Sequence, residues 1–363
     1  MLPFLNQFRR IGRAACVRCC CTLLAFTLLL SPGFAAASAT EGAPAGNATR
    51  YVYPIGKTVG IKLFSDGVLV IGLSDVKTRG GDASPAKDCG LHEGDIITHM
   101  NQQEVNTIEE VQTILQDAGT REISMNVLRG EKTAQVTTQA VQCSADGAYK
   151  LGAWIRDSMA GIGTMTFYDP GTGIFGTLGH GINDVDTSQL MPLQSGAIMP
   201  STVADVKKGE AGTPGQLQGA FELERDLGTL YANTEGGVFG RLTDASFADG
   251  YKRLPVASSD EIKTGEATIC CNISDGEVEE FTVEIVKVFS GACDTRDLML
   301  KITDQRLLTA TGGIVQGMSG SPIIQNGKFI GAVTHVLVND PTHGYGIAAE
   351  NMLTLANTAA AEL

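Results

Sequence analysis

A mainly β chain of two loop-rich domains is what this sequence predicts, on three observations. Glycine supplies 44 of 363 residues and aromatic residues only 6%, a balance that suits many short strands and turns better than one large helical core. Apolar and polar residues alternate over short runs bounded by turn residues, the period-two pattern of strands. Helical patterning is sparse: one capped amphipathic stretch follows Asn106, and one candidate helix closes the chain at Ala348–Ala360.

The chain opens with Arg9, Arg10, Arg13 and Arg18, then runs without charge from Cys19 to Thr40 around an apolar centre at Leu23–Leu30. Basic residues ahead of a short apolar run mark an export signal. Ser31-Pro32-Gly33 interrupts the run and Ala37-Ser38-Ala39 fits a small-residue cleavage site. Residues 1–39 are therefore expected to be a cleaved signal in preference to an anchor, because spanning a bilayer takes about 20 apolar residues. Residues 40–50, rich in Ala, Gly and Thr, read as a linker. Without the four arginines, 23 basic residues face 40 acidic ones, and nucleic acid is excluded as a partner. Of nine cysteines, four lie in the signal, leaving Cys89, Cys143, Cys270, Cys271 and Cys293. No paired Cys-x-x-Cys units occur among them, so neither a metal nor another cofactor is expected. A bridge from Cys293 to Cys270 or Cys271 and a set of buried free thiols are both open.

Residues 51–142 alternate strands with a single helix. Val59-Gly60-Ile61-Lys62-Leu63 and Gly67-Val68-Leu69-Val70-Ile71 are expected to be two strands around a Ser-Asp-Gly turn. Asn106 is the expected N-cap with Glu109 in the capping box, and Ile108, Val111, Ile114 and Leu115 form one apolar stripe ending before Gly119. Ile123, Met125 and Val127 then alternate as a strand. With its Ala-x-x-x-Gly-Leu run at Ala86–Leu91 and Gly94-Asp95-Ile96-Ile97 before the helix, this segment resembles a PDZ domain. That resemblance implies a peptide added as a strand, with Val59, Gly60, Ile61 and Lys62 as the carboxylate-binding loop and Ile108, Val111 and Leu115 closing the groove.

Residues 143–363 are glycine-rich with many short strands and suit a double β-barrel. Within them, Gly317-Met318-Ser319-Gly320-Ser321-Pro322 has the form of a nucleophile loop. A Gly-x-Ser-Gly turn exposes one hydroxyl and aims the amides of Gly317 and Ser319 at one point, the arrangement of an oxyanion hole. Strand, Asn326-Gly327 hairpin and strand follow, up to His335, as in chymotrypsin-like proteases. A serine nucleophile needs a base, and among five histidines His180, in Thr177-Leu178-Gly179-His180-Gly181, is the candidate. His335 is the candidate for a polar residue of the specificity pocket. Asp304, Asp169, Asp184 and Asp186 all compete for the orienting carboxylate. Chain order favours Asp304, although it lies closer to the serine than chymotrypsin-like enzymes usually place it.

Leu178–Ile182, Thr311–Gly327 and Gly331–Val336 together, after an export segment and a PDZ-like unit, resemble the sporulation signalling serine peptidases typified by stage IV sporulation protein B. The resemblance implies a triad of His180, Asp304 and Ser319, and for Asp304→Asn a rate loss of about 10⁴-fold by analogy with other triads. It further implies export from the forespore into the space between two membranes and cleavage of the chain by itself. It also implies cleavage of a membrane-associated regulator that frees an intramembrane protease to process a late sigma factor. The rival readings are a non-catalytic PDZ adaptor and a general envelope quality-control protease.

Overall fold

A computed structural model describes residues 49–289 and 295–362. The export signal, most of the linker and Cys293 lie outside the described residues. Seventeen strands and three helices carry the argument. They are β1 (Tyr51–Pro54), β2 (Thr58–Leu73), β3 (Ile96–Met100), α1 (Ile108–Ala118), β4 (Glu122–Arg129), β5 (Lys132–Gln139), β6 (Tyr149–Lys150) and β7 (Ala153–Asp169). After them come β8 (Ile174–Thr177), β9 (Ser195–Lys207), β10 (Gly228–Thr234), β11 (Gly237–Leu242), β12 (Gly265–Cys271), β13 (Glu279–Val288) and β14 (Leu298–Ile302). The last are α2 (Gln305–Thr311), β15 (Pro322–Gln325), β16 (Lys328–Leu337), β17 (Asp340–Ala348) and α3 (Ala349–Ala361).

Two barrels form. In the first, β2, β7, β8, β11, β10 and β9 pair in that order and β9 returns to β2, closing the ring. Its interior holds Val59, Ile61, Met165, Phe175, Ile198 and Val238. The second closes through β12, β13, β14, β17, β16 and β15. Alternation fills it: Phe281, Val283 and Ile285 of β13 are buried while Glu280, Thr282 and Glu284 face outward. Phe167, Phe239, Phe329 and Ile347 meet between the barrels, with Met352 and Ala356 of α3 packed on them. Closure removes the unpaired strand edges that an open sheet would expose. The fold is mainly β, a PDZ unit with a chymotrypsin-like double barrel, as the sequence predicts.

The border between the two differs from the expected one at residue 142. β2 is a single strand of 16 residues, not two strands around a turn. Gly67, at φ +86°, bends it without ending it, and a side chain there would strike Ile96. Before the bend, Val59–Phe64 pairs with β7 on one edge and β9 on the other. Beyond it, Val68–Leu73 joins β3 of the PDZ unit and the start of β7. The PDZ unit is thus inserted between two neighbouring strands of the first barrel. Its own core gathers Val68, Val70, Met100, Val111, Leu115, Ile123 and Val127.

Two local expectations shift with it. Val59, Gly60, Ile61 and Lys62 are no carboxylate-binding loop, because both edges of that stretch are consumed by barrel pairing. The N-cap of α1 is Thr107, boxed with Glu110, one residue beyond Asn106 and Glu109. Asn106 instead accepts from the Gly67 amide at 2.8 Å, bracing the bend in β2. The predicted hairpin is present, with Asn326 at φ +52° and Gly327 at φ +73°. Cys89, Cys143, Cys270 and Cys271 are free thiols, and burial pushes Cys270 up to about 12, which leaves it without nucleophilic character at neutral pH.

A chain beginning at residue 143 lacks β1 and β2 and leaves β7 and β9 without their shared neighbour. It is expected to show no cooperative thermal transition by circular dichroism, whereas a chain beginning at residue 49 melts cooperatively. Cooperative melting of the shorter chain would contradict the insertion.

Candidate functional site

The loop between α2 and β15 carries Ser319, and its path is fixed by backbone hydrogen bonds. Met318 donates to Val315 O at 3.1 Å, Ser321 to Met318 O at 3.0 Å, and Gly320 to Val333 O at 2.7 Å. Gly317 and Gly320 adopt φ of +98° and +95°. A β-carbon on Gly320 would lie 2.3 Å from Thr164 O and 2.5 Å from the Leu178 amide, so only glycine fits. Thr164 of β7 ties the loop to the first barrel: its hydroxyl donates to Gly317 O at 2.7 Å and its amide to Ser319 O at 3.2 Å. Among the described residues, neither the Gly317 nor the Ser319 amide donates to a protein acceptor. They remain available for an oxyanion.

His180 reaches the same place from the end of β8. Leu178 and Gly179 take φ of +66° and +70° and turn the chain sharply. Gly179 packs so closely on Thr334 and Ile347 of the second barrel that a β-carbon would lie 2.9 Å from the Thr334 methyl group. Beyond the histidine, the Asn233 amide brackets the loop, accepting from Ile182 N at 2.8 Å and donating to Ile182 O and Met191 O. Nothing in the sequence marks Asn233 or Thr164, because their partners are backbone groups distant along the chain.

The imidazole Nδ1 lies 2.8 Å from Gly181 O. A carbonyl oxygen can only accept, so Nδ1 carries the proton and Nε2 keeps its lone pair. Burial lowers the His180 pKa below its ordinary value, opposed by the bond to Gly181. Ser319 Oγ donates to Thr334 O at 2.7 Å, not to the imidazole. The hydroxyl thus rests on a main-chain acceptor, in the cleft that His180 also lines.

His180, Ser319, Gly317 and His335 all line one cleft of about 490 Å³, walled by Ile162, Leu178, Ile182, Pro214, Val336 and Val338. The His335 ring lies 5.1 Å from that of His180, tilted by 37°. A larger hollow, about 720 Å³, contains none of the predicted catalytic residues.

Asp304 is not brought to His180. It is the N-cap of α2, its carboxylate accepting from Arg306 N at 2.9 Å, from the Arg306 guanidinium at 2.9 Å and from Thr282 N at 3.3 Å. Arg306 holds this carboxyl down to about 2. Its rivals are committed elsewhere: Asp169 pairs with Arg50 at 2.5 Å, Asp184 pairs with Arg156, and Asp186 pairs with Arg156 at 2.9 Å. The polar partner of Nδ1 is a main-chain carbonyl.

The family described as SpoIVB peptidase S55 matches residues 147–353, more than half of the chain. A PDZ domain family matches residues 78–129. A mitochondrial serine protease HTRA2 from Drosophila grimshawi is 43% identical over 54 residues, 15% of this chain and 12% of that relative's length. The active form of the Rv3671c protease from M. tuberculosis shares 15% identity over 54% of this chain and 72% of that one, with a TM-score of 0.30. The PDZ domain of an SdrC-like protein from Listeria monocytogenes shares 24% identity over 25% of this chain and 87% of that one, with a TM-score of 0.21.

Burial disfavours the imidazolium. His180 is therefore expected to titrate below about 6.5, the ordinary imidazole value, when its ring protons are followed by NMR. A titration at or above that value would contradict the environment described.

Proposed function

The chain belongs to the SpoIVB peptidase S55 family, and from that premise we propose that it is an exported serine endopeptidase in which Ser319 is the nucleophile and His180 the base. The observation that carries the assignment is the convergence of His180, Ser319 and Gly317 in one cleft from different barrels. Rotation of Ser319 about χ1 exchanges Thr334 O for Nε2 of His180, whose lone pair the Gly181 carbonyl has left free. Attack then forms the tetrahedral oxyanion, which the Gly317 and Ser319 amides receive, and the imidazolium returns its proton to the leaving amine.

A neutral carbonyl stabilises the imidazolium less than a carboxylate does. The resting arrangement is accordingly one of low basal turnover, which suits a protease whose activity is restrained. Asp304 acts at one remove: it fixes the start of α2, the helix that leads into the nucleophile loop. The apolar cleft walls favour a substrate with apolar side chains around the scissile bond.

Resemblance to the sporulation signalling peptidases supports the finer reading. The enzyme acts in the space between the forespore and mother-cell membranes, cleaves itself, and cuts a membrane-associated regulator to trigger processing of a late sigma factor. The adaptor reading leaves the convergence of His180 and Ser319 in one cleft without a role.

Ser319→Ala is expected to abolish self-cleavage and cleavage of fluorescein-labelled casein while shifting stability by less than about 1 kcal/mol. Undiminished cleavage by the purified variant would remove the assignment. Asn caps helices as well as Asp does, so Asp304→Asn is expected to keep turnover within about tenfold, whereas Asp304→Ala costs about 0.5–2 kcal/mol of stability. A loss near 10⁴-fold in Asp304→Asn would instead make this carboxylate the partner of the imidazole.

A further inference from the structure

The amides of Gly317 and Ser319 are each aimed through the carbonyl that shares their peptide plane. In a trans peptide the carbonyl oxygen and the following amide hydrogen point in opposite directions, so whatever holds the oxygen also directs the hydrogen. For Ser319 the holder is local: Met318 O accepts from the Ser321 amide at 3.0 Å and from the Ser321 hydroxyl at 2.7 Å. For Gly317 it comes from about 100 residues away in the chain. Gln316 O accepts from the Leu217 amide at 2.8 Å, and the Gln316 amide donates to Gly215 O at 2.9 Å. Together these bonds form a parallel bridge between Gln216 and Gln316.

Leu217 belongs to an excursion of the first barrel. From Ser195 to Pro200, β9 pairs with β2 in the barrel wall, but from Ser201 to Lys207 it pairs with a returning strand, Gln216–Phe221. This hairpin leaves its own barrel and joins the other. Val203 and Leu217, 1% and 2% exposed, are buried with Leu307, Ile314, Val315 and Met318 in the core of the second barrel. Between its two strands, Gly209 N donates to Thr311 O and Gly212 N to Val338 O, both at 2.8 Å. The Leu217 side chain lies against Gly317 itself, where an added β-carbon would stand 3.1 Å from three of its carbons.

We propose that Leu217 is a positioning residue for the reaction. Its amide and its side chain together hold the Gln316–Gly317 peptide with the Gly317 N–H toward the cleft before substrate arrives. Leu217 is not among the residues that line that cleft, so it acts through Gln316 and Gly317. Released from it, the peptide is free to rotate and to bring Gln316 O, an acceptor, to the place where the oxyanion forms. An oxyanion donor acts on the transition state in preference to the bound substrate, so the effect falls on kcat. The rate effect rests on the serine-peptidase reading above; the clamp on the Gln316–Gly317 peptide does not.

Leu217→Ala is expected to cleave labelled casein with kcat lowered at least about tenfold and KM within about twofold of the parent, since a lost oxyanion donor costs about 10²–10³ in kcat. Reaction with a fluorophosphonate, whose phosphoryl oxygen uses the same donors, slows in parallel. Leu217→Met, which keeps the volume, restores both. Leu217→Val is expected to give an intermediate kcat, and it carries the test where the alanine variant does not fold. Unchanged kcat, or a raised KM at parental kcat, would overturn the positioning role. Amide hydrogen exchange reads the clamp without turnover: the Gln316 N–H is expected to exchange at least about tenfold faster in Leu217→Ala, relative to the amides of β13. If the parent cleaves nothing yet this acceleration is seen, the clamp stands and the peptidase reading fails. Equal exchange overturns the clamp whether or not the chain is active.

Discussion

The antiparallel pairing of β7 with β2 is the constraint on which the rest of the molecule depends. Each strand is long enough to serve two modules, β7 with 17 residues and β2 with 16. Their ladder runs from the PDZ unit into the wall of the first barrel, where β8, β11, β10 and β9 complete the ring. Flexing it at Gly67 and at Asp157 lets one pair of strands follow two differently curved sheets. The Ser319 loop hangs from the far end of this ladder through Thr164, so the position of Ser319 inherits the register of strands that begin in the PDZ unit.

A second constraint is electrostatic. Enzymes of this kind need a histidine that is neutral, correctly protonated and close to a hydroxyl. Burial supplies the first and the Gly181 carbonyl the second. The third is only half met, since Ser319 Oγ rests on Thr334 O. A carbonyl in the place of a buried carboxylate avoids the desolvation of a second charge, at the expense of weaker support for the imidazolium.

Much of this was legible in the residues. Gly317–Pro322 needs its glycines for φ and for space, and such a need shows directly in sequence. The Asn326-Gly327 hairpin and the apolar stripe of α1 are likewise local, set by turn chemistry and helical period. What could not be read is non-local. Nothing in Val59–Lys62 distinguishes a strand paired on two sides from a loop beside a groove, since both tolerate small and β-branched residues. Asn106 and Thr107 are both good caps with an acid three residues on, so a one-residue ambiguity is built into the sequence. Asp304 has the chain order of a triad acid and equally the chemistry of an N-cap, and only the position of Arg306 and Thr282 separates the two.

The central claim, that His180 activates Ser319, is tested most directly by reaction with a fluorophosphonate and mapping of the adduct by mass spectrometry. The account predicts a single modified residue, Ser319, and loss of the modification in His180→Ala. An adduct formed at an undiminished rate without His180, or formed on a different serine, would contradict it.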